Sequence, residues 1–272
     1  MRLTKPEAGK NQVRSMIEGM LESGVAALFA KEVLRTWKVG QQTLIAPVVT
    51  SMLYLFIFTH ALGTGKELFN GVSYGSFLLA GLVMMSVMQN AFANTSSSLI
   101  QSKVTGNLLF VLVTPLRPWE IALACVGAAV VRGMAVAAGV FIAGQIVAPT
   151  PIAHPLSLFL YVLLGASMLG ALGMVAGIVA LRFEEVAAFQ NFFISPLTML
   201  SGVFYTLGAL PPFWRRFILI NPFYYLVSGA HESILGVSEV SGTMSFSIAF
   251  LSLGGVISLL LWMLAKGHKL RN

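Results

Sequence analysis

The sequence predicts an all-α polytopic membrane protein with six transmembrane helices, an amphipathic interfacial helix ahead of the first and an outer re-entrant helical hairpin ahead of the last. Three observations carry that prediction. Of 272 residues, 57% are hydrophobic and only 10% charged, too little polar surface to cover a soluble globule of this length. Six apolar runs approach the roughly 20 residues that cross bilayer hydrocarbon at about 1.5 Å per residue. The basic residues are sorted between alternate loops, as the positive-inside rule requires of a polytopic protein. The whole chain reads as one membrane domain, with an interfacial and cytoplasmic segment over 1–42, the bundle over 43–265 and a cytoplasmic tail over 266–272.

The first 40 residues are dominated by polar and charged types rather than by a short basic start and an apolar core, so no cleaved signal peptide is expected. Within them, "SGVAALFAKEVLRTWK" (Ser23–Lys38) places Leu28, Phe29, Val33 and Trp37 on one half of a helix and Lys31, Arg35 and Lys38 on the other. That is the pattern of a helix lying at the interface, basic side toward lipid phosphates and tryptophan at headgroup depth; a solvated cytoplasmic helix is the alternative.

The spans follow as Thr43–Leu62, Tyr74–Ala93, Trp119–Val147, Leu156–Leu181, Val186–Tyr205 and Ser245–Ala265. Polar residues from Asn94 to Ser98 are read as the cytoplasmic exit of the second span. Beyond them a short helix from Ser102 to Val113, closed by Pro115 and Pro118, is too brief to cross and has an apolar face to cover, either on the protein's own spans or on a cytoplasmic partner. The third span carries Arg132 near its middle, where a charge costs about 2.5–3.5 kcal/mol on insertion scales, so carbonyls, water or a carboxylate must meet it. The fourth has Gly165, Gly170, Gly173 and Gly177, small residues that let backbones approach. Cys125 is the only cysteine and lies inside the third span, which excludes a disulfide framework.

About 40 residues then separate Tyr205 from the last span, too apolar for an open loop. Pro211-Pro212 and Asn221-Pro222 break them into a helix–turn–helix dipping into the outer leaflet, with Phe213, Trp214, Phe217, Phe223, Tyr224 and Tyr225 at interfacial depth and Arg215 and Arg216 snorkelling to headgroups.

The net charge of +7 does not mark a nucleic-acid binder, because its distribution is topological. Arg2, Lys5, Lys10, Arg14, Lys31, Arg35, Lys38, Lys103, Arg117, Arg182, Lys266, Lys269 and Arg271 fall on one side of the bundle, against Lys66, Arg215 and Arg216 on the other. Both termini are thereby expected in the cytoplasm.

Chemistry is sparse. "HALGTGKE" (His60–Glu67) fails as a phosphate-binding loop: histidine stands where the first glycine belongs, and Glu67 where a hydroxyl must hold magnesium. The histidines His60, His154, His231 and His268 have no metal-ligand spacing. Ion-coupled carriers commonly bury carboxylates in their spans, yet the chain has no aspartate and its glutamates avoid mid-span positions. Neither an enzyme nor an ion-coupled carrier is favoured.

Two segments resemble the ABC-2 type permeases, the membrane subunits of bacterial ABC exporters. "SPLTMLSGVFYTLGALPPFW" followed by "NPFYYLVSG" is similar to that family's most specific stretch, and "KVTGNLLFVLVTPL" resembles its cytoplasmic segment ending before a proline. The resemblance covers nearly the whole chain. It implies an inner-membrane half-transporter without an ATP site or cofactor of its own, pairing with a second copy and with separate ATPase subunits that bring ATP and magnesium. Gly106, Leu108, Leu109, Val111 and Pro115 are then the ATPase-coupling candidates, and Arg132, Phe189, Phe192, Phe193 and Phe204 the candidates for the translocation path or span packing. Pro211, Pro212, Asn221 and Pro222 define the hairpin. The chain departs from the family at Leu108–Phe110, where many members carry an acidic residue, and at His231-Glu232, where an aromatic-arginine pair is common. A drug-like amphiphile, a lipid or a polysaccharide is the implied substrate. An ATP-independent carrier or a membrane scaffold is the alternative from a different class.

Overall fold

The computed structural model describes residues 24–38, 41–61, 67–69, 71–107 and 116–267. Helix α1 (Gly24–Lys38) precedes α2 (Ala46–Ala61), which a π-helical turn, Gln41–Ile45, extends at its start. A two-stranded antiparallel hairpin, β1 (Glu67–Phe69) and β2 (Val72–Ser73), then leads into α3 (Tyr74–Val104), so the connection after the first span is not purely irregular. Helices α4 (Pro118–Gly144) and α5 (Pro155–Val179) follow. Next come α6 (Phe183–Phe189), a π-helical turn (Gln190–Ile194) and α7 (Ser195–Met199), and then α8 (Pro212–Ile220), α9 (Pro222–Leu235) and α10 (Gly242–Lys266). Proline opens α4, α5, α8 and α9 at the first helical position, where its missing N–H costs nothing and its fixed φ suits the helix.

Among the described residues, five helical stretches are long and apolar enough to cross a membrane: Thr43–Ala61, Tyr74–Val104, Pro118–Gly144, Pro155–Val179 and Gly242–Lys266. The fifth expected span, Val186–Tyr205, is realised differently. It starts earlier, at Phe183, is broken into pieces of 7, 5 and 5 residues by the π-helical turn, and stops at Met199. Leu200–Tyr205 form a turn instead, with Gly202 at φ 78°, a conformation that only glycine adopts without strain.

The core is built on α3, whose spanning stretch is 83% buried, with α5 next at 72%. Glycine sets their distance. A Cβ on Gly173 would run into the Phe92 carbonyl and the Thr95 hydroxyl, and one on Gly177 would press on Leu99 at 2.9 Å. The approach lets Thr95 Oγ1 donate to the Gly170 carbonyl at 2.7 Å. Backbone contact through small residues, reinforced by an interhelical hydrogen bond, is how spans associate when lipid is as apolar as the side chains.

Three expectations change. The helix of the second span does not end at Ala93: α3 continues to Val104, and Asn94, Thr95, Ser96 and Ser98 are packed inside the bundle rather than exposed. The short helix expected from Ser102 cannot begin there, because α3 runs through that position and Gly106 turns the chain at φ 73°; Leu108, Leu109, Val111 and Pro115 lie outside the described residues. In the hairpin, the break at Asn221 holds as expected, but Phe223, Tyr224 and Tyr225 are buried against the bundle, leaving Phe213, Trp214 and Phe217 as the exposed aromatics. Asn221 makes the corner by accepting from the Phe223 N–H at 3.1 Å and donating to the Leu197 carbonyl at 2.7 Å. Arg215 donates to the carbonyls of Leu210 and Gly208, a local role rather than headgroup snorkelling.

Candidate functional site

On α3, Ser86, Asn90, Asn94 and Ser98 recur every four residues and so share one face of an otherwise apolar span. That stripe organises the polar interior. Towards the α2 side it borders an open groove of about 170 Å³, lined by Thr50, Ser51, Ser86, Gln89, Asn90 and Gln190 among others, with no charged side chain on its wall. The hydroxyls of Ser51 and Ser86 lie 2.9 Å apart, Asn90 Nδ2 donates to the Ser86 carbonyl at 3.0 Å, and Gln89 Nε2 donates to Thr198 Oγ1 at 3.0 Å. The last contact holds α7 to α3, so the groove has a fixed wall on three elements.

Arg132 stands behind this wall and is only 8% exposed. Its Nη2 donates to Asn90 Oδ1 at 2.9 Å and its Nη1 to Asn94 Oδ1 at 3.4 Å, while Nε has no hydrogen-bond partner. The partners are amides, not the carboxylate that a mid-span cation would suggest.

The same Asn94 oxygen accepts from Arg35 Nη2 at 3.0 Å and from Thr36 Oγ1 at 2.9 Å. Arg35 also donates to the Asn94 carbonyl at 2.9 Å and to Glu32 Oε2 at 3.1 Å, and Ser98 Oγ donates to that carboxylate oxygen at 2.5 Å. Glu32 is 3% exposed. Helix α1 therefore docks through the stripe Leu28, Glu32 and Thr36, whereas Trp37, Leu34 and Lys31 are exposed. This corrects the expected orientation: Arg35 turns into the bundle rather than toward lipid phosphates, because Glu32 and Asn94 replace the water a guanidinium loses on burial. One chain of polar contacts thus runs from α1 through Asn94 and Arg132 to Asn90 on the groove wall.

Of the four phenylalanines that are candidates for the path or for span packing, only Phe189 and Phe193 touch one another. Phe189 stacks on Phe92 with ring centroids 5.8 Å apart and touches Phe193 at 5.1 Å. Phe192 and Phe193 face outward, 76% and 57% exposed. Phe204 sits beyond the helix end against Tyr54 and Phe58, at 5.8 and 5.2 Å. Of the coupling candidates only Gly106 is described, and a side chain added there would meet open space. The hairpin residues Pro211, Pro212, Asn221 and Pro222 stand at the starts and the corner of α8 and α9. His231 is buried in α9, its ring stacked on Phe77 at 4.0 Å and its Nε2 3.1 Å from the Phe77 carbonyl.

The sequence reading missed Asn90, Asn94, Glu32 and Gln89. Four-residue recurrence of polar residues in α3 was the available signal.

A bundle of apolar spanning helices with a neutral polar groove opening on its side defines a membrane permease. The chain belongs to the ABC-2 type transporter family, whose model matches residues 23–235. It is similar to inner membrane transport permease YadH of Escherichia coli strain K12, with 32% identity over 246 residues, covering 90% of this chain and 96% of that protein. It is also similar to Nodulation protein J of Neorhizobium galegae, 22% identical over 84% of this chain and 87% of the relative, and to Nodulation protein J of Rhizobium leguminosarum bv. trifolii, 26% identical over 77% and 80%. The protein is an ABC-2 permease, the multi-pass inner-membrane subunit of a transporter, and permeases of this kind work with ATPase subunits rather than acting as enzymes themselves.

Proposed function

We infer that this chain is half of an ATP-driven exporter, in which two copies enclose the translocation path and separate ATPase subunits dock at the basic end of the bundle, which faces the cytoplasm with both termini. The observation that carries this reading is the open groove beside α2, α3 and the π-helical turn. It is polar, uncharged and unfinished on one side. The neighbouring surfaces are apolar, with Val49, Leu53 and Phe56 of α2 and Phe192 and Phe193 beside the turn all exposed, and a second copy would close over them. Segment Phe183–Met199 is then the fifth of six spans, short because it lies at that seam. The groove's hydroxyl and amide wall favours a polysaccharide or an amphiphile with an uncharged head over a cationic drug.

In this arrangement Gly106, Leu108, Leu109, Val111 and Pro115 couple hydrolysis to the spans. Gly106 turns the chain in the left-handed region just after α3, and Leu108, Leu109 and Val111 are the residues that fill a groove in the ATPase. Burying two leucines contributes roughly 3–6 kcal/mol. Replacing Leu108 and Leu109 together by Ser should release the ATPase while the permease keeps its thermal transition. Co-purification in mild detergent beside a stability scan tests it; a retained ATPase, or a collapsed permease, assigns those residues to the permease's own core.

A further inference from the structure

A larger cavity than the polar groove lies between α4, α5 and α10. It measures about 380 Å³ and is walled by Trp119, Leu123, Val130, Leu163, Leu253 and Leu261, among other residues of which only Ser167 is polar. It exists because α10 leans on α5 and α9 and stands away from α4, leaving only 17% of its spanning stretch buried.

Its depth and wall fit a lipid chain. From Trp119 to Val130 the lining of α4 rises roughly 16 Å at about 1.5 Å per residue, half of the about 30 Å hydrocarbon thickness and so about one leaflet. A polymethylene chain about 4.5–5 Å across over that length, from carbon–carbon contact distances, occupies roughly 250–300 Å³, which the cavity accommodates, and the wall it meets is apolar except at Ser167. The lining begins at Trp119 of α4 and reaches Leu261 of α10, both toward the basic end of the bundle. Arg117 is exposed two residues before Trp119, and Lys266, exposed at the end of α10, holds its ammonium 4.6 Å from the Trp262 ring.

We propose that this cavity holds one acyl chain of an anionic phospholipid from the leaflet at the basic end, its phosphate between Arg117 and Lys266 and its glycerol beside Trp119. The lipid completes the packing of α10 against α4. The site is separate from the polar groove and depends only on the bundle crossing a bilayer, so its failure would leave the transport reading intact.

Photolabelling of the intact, reconstituted permease tests it, using phosphatidylglycerol with a diazirine on the acyl chain. Labels are expected on peptides of α4 and α10 that line the cavity. Unlabelled phosphatidylglycerol should compete about tenfold better than phosphatidylcholine, since each basic residue at a membrane surface favours anionic lipid several-fold. Leu123→Trp, which fills the cavity, should abolish that labelling, and Leu253→Phe serves if the first variant fails to fold. Arg117→Gln with Lys266→Gln should keep the labelling but remove the preference for anionic lipid. Equal competition by both lipids, or label spread evenly over exposed faces of α2 and α10, means annular lipid only and overturns the proposal. So does an intermolecular disulfide through Leu123→Cys, which would put a second copy there.

Discussion

Glu32 and Arg132 show how much a buried charge depends on what its neighbours supply. Among the described residues, Glu32 is the carboxylate hydrogen-bonded within the cluster that also contains Arg35, Asn94 and Arg132. Replacing it by Gln takes the counter-charge from Arg35, whose side chain is 23% exposed, and breaking a buried pair by removing one partner costs up to about 3–5 kcal/mol. The thermal transition of Glu32→Gln in detergent should fall by several degrees. Lys31→Gln, one residue away but exposed and 3.5 Å from the same carboxylate, should leave it nearly unchanged, because exposed pairs contribute about 0–1 kcal/mol. An equal loss in both would mean that α1 docks without the buried pair. Arg132 behaves differently, since its partners are neutral amides. Arg132→Leu discards two hydrogen bonds but also a buried charge, and the two changes offset in stability. Asn90, however, loses the donor that orients its side chain on the groove wall. Transport should therefore drop more than stability in Arg132→Leu, and Arg132→Lys should keep part of it, one ammonium reaching one of the two amides. Unchanged transport in Arg132→Leu would remove the residue from the path.

Among the elements, the contact of α5 with α3 makes a demand that can be isolated with two glycines of equal intrinsic helix propensity. Gly173 has no room for a methyl group against the α3 backbone, while Gly254 in α10 has nothing within 4 Å of where its Cβ would stand. Gly173→Ala should separate the two helices and lower the thermal transition markedly. Gly254→Ala should be neutral or slightly stabilising by about 0.5–1 kcal/mol, the gain of alanine over glycine in a helix. Similar shifts in both would show that the α3–α5 approach is not set by Gly173. The elements were largely legible in the sequence, for two reasons. Apolar runs give span positions, and prolines at 118, 155, 212 and 222 mark four helix starts. Two things were not legible. Asn94-Thr-Ser-Ser-Ser reads as an exit from the membrane because composition does not say whether a polar side chain meets water or another helix. Likewise, the docked face of α1 depends on Asn94, 59 residues beyond Arg35, and no pattern within α1 contains that information. The groove was partly legible as a four-residue polar recurrence, whereas the scatter of Phe189, Phe192, Phe193 and Phe204 follows from a π-helical turn and a helix end that hydropathy does not register.

For the molecule as a whole, sidedness is the property on which substrate direction and ATPase docking both depend, and the charge distribution predicts it. Within the described residues the basic end carries Lys31, Arg35, Lys38, Lys103, Arg117, Arg182 and Lys266, while the far end carries Arg215 and Arg216. Arg215 is tied down by the carbonyls of Gly208 and Leu210, and Glu239 accepts from the N–H groups of Leu207 and Gly208 at 2.7 and 3.2 Å, so the loops there form a latched cap rather than a loose surface. Retaining basic residues on the cytoplasmic side is the strongest orienting influence on short membrane loops, and it predicts the cap on the outer side. In a Cys125→Ala background, single cysteines at Gly208 and Thr243, both exposed in that cap, should react with a membrane-impermeant maleimide in intact cells. A cysteine at Ala265, exposed at the opposite end of α10, should react only after permeabilisation. Thr243 and Ala265 lie at the two ends of one helix, so their labelling must be opposite if α10 crosses the bilayer. Labelling of both from the same side would make α10 a surface helix, and the reverse pattern would turn the permease over and move the ATPase to the hairpin end.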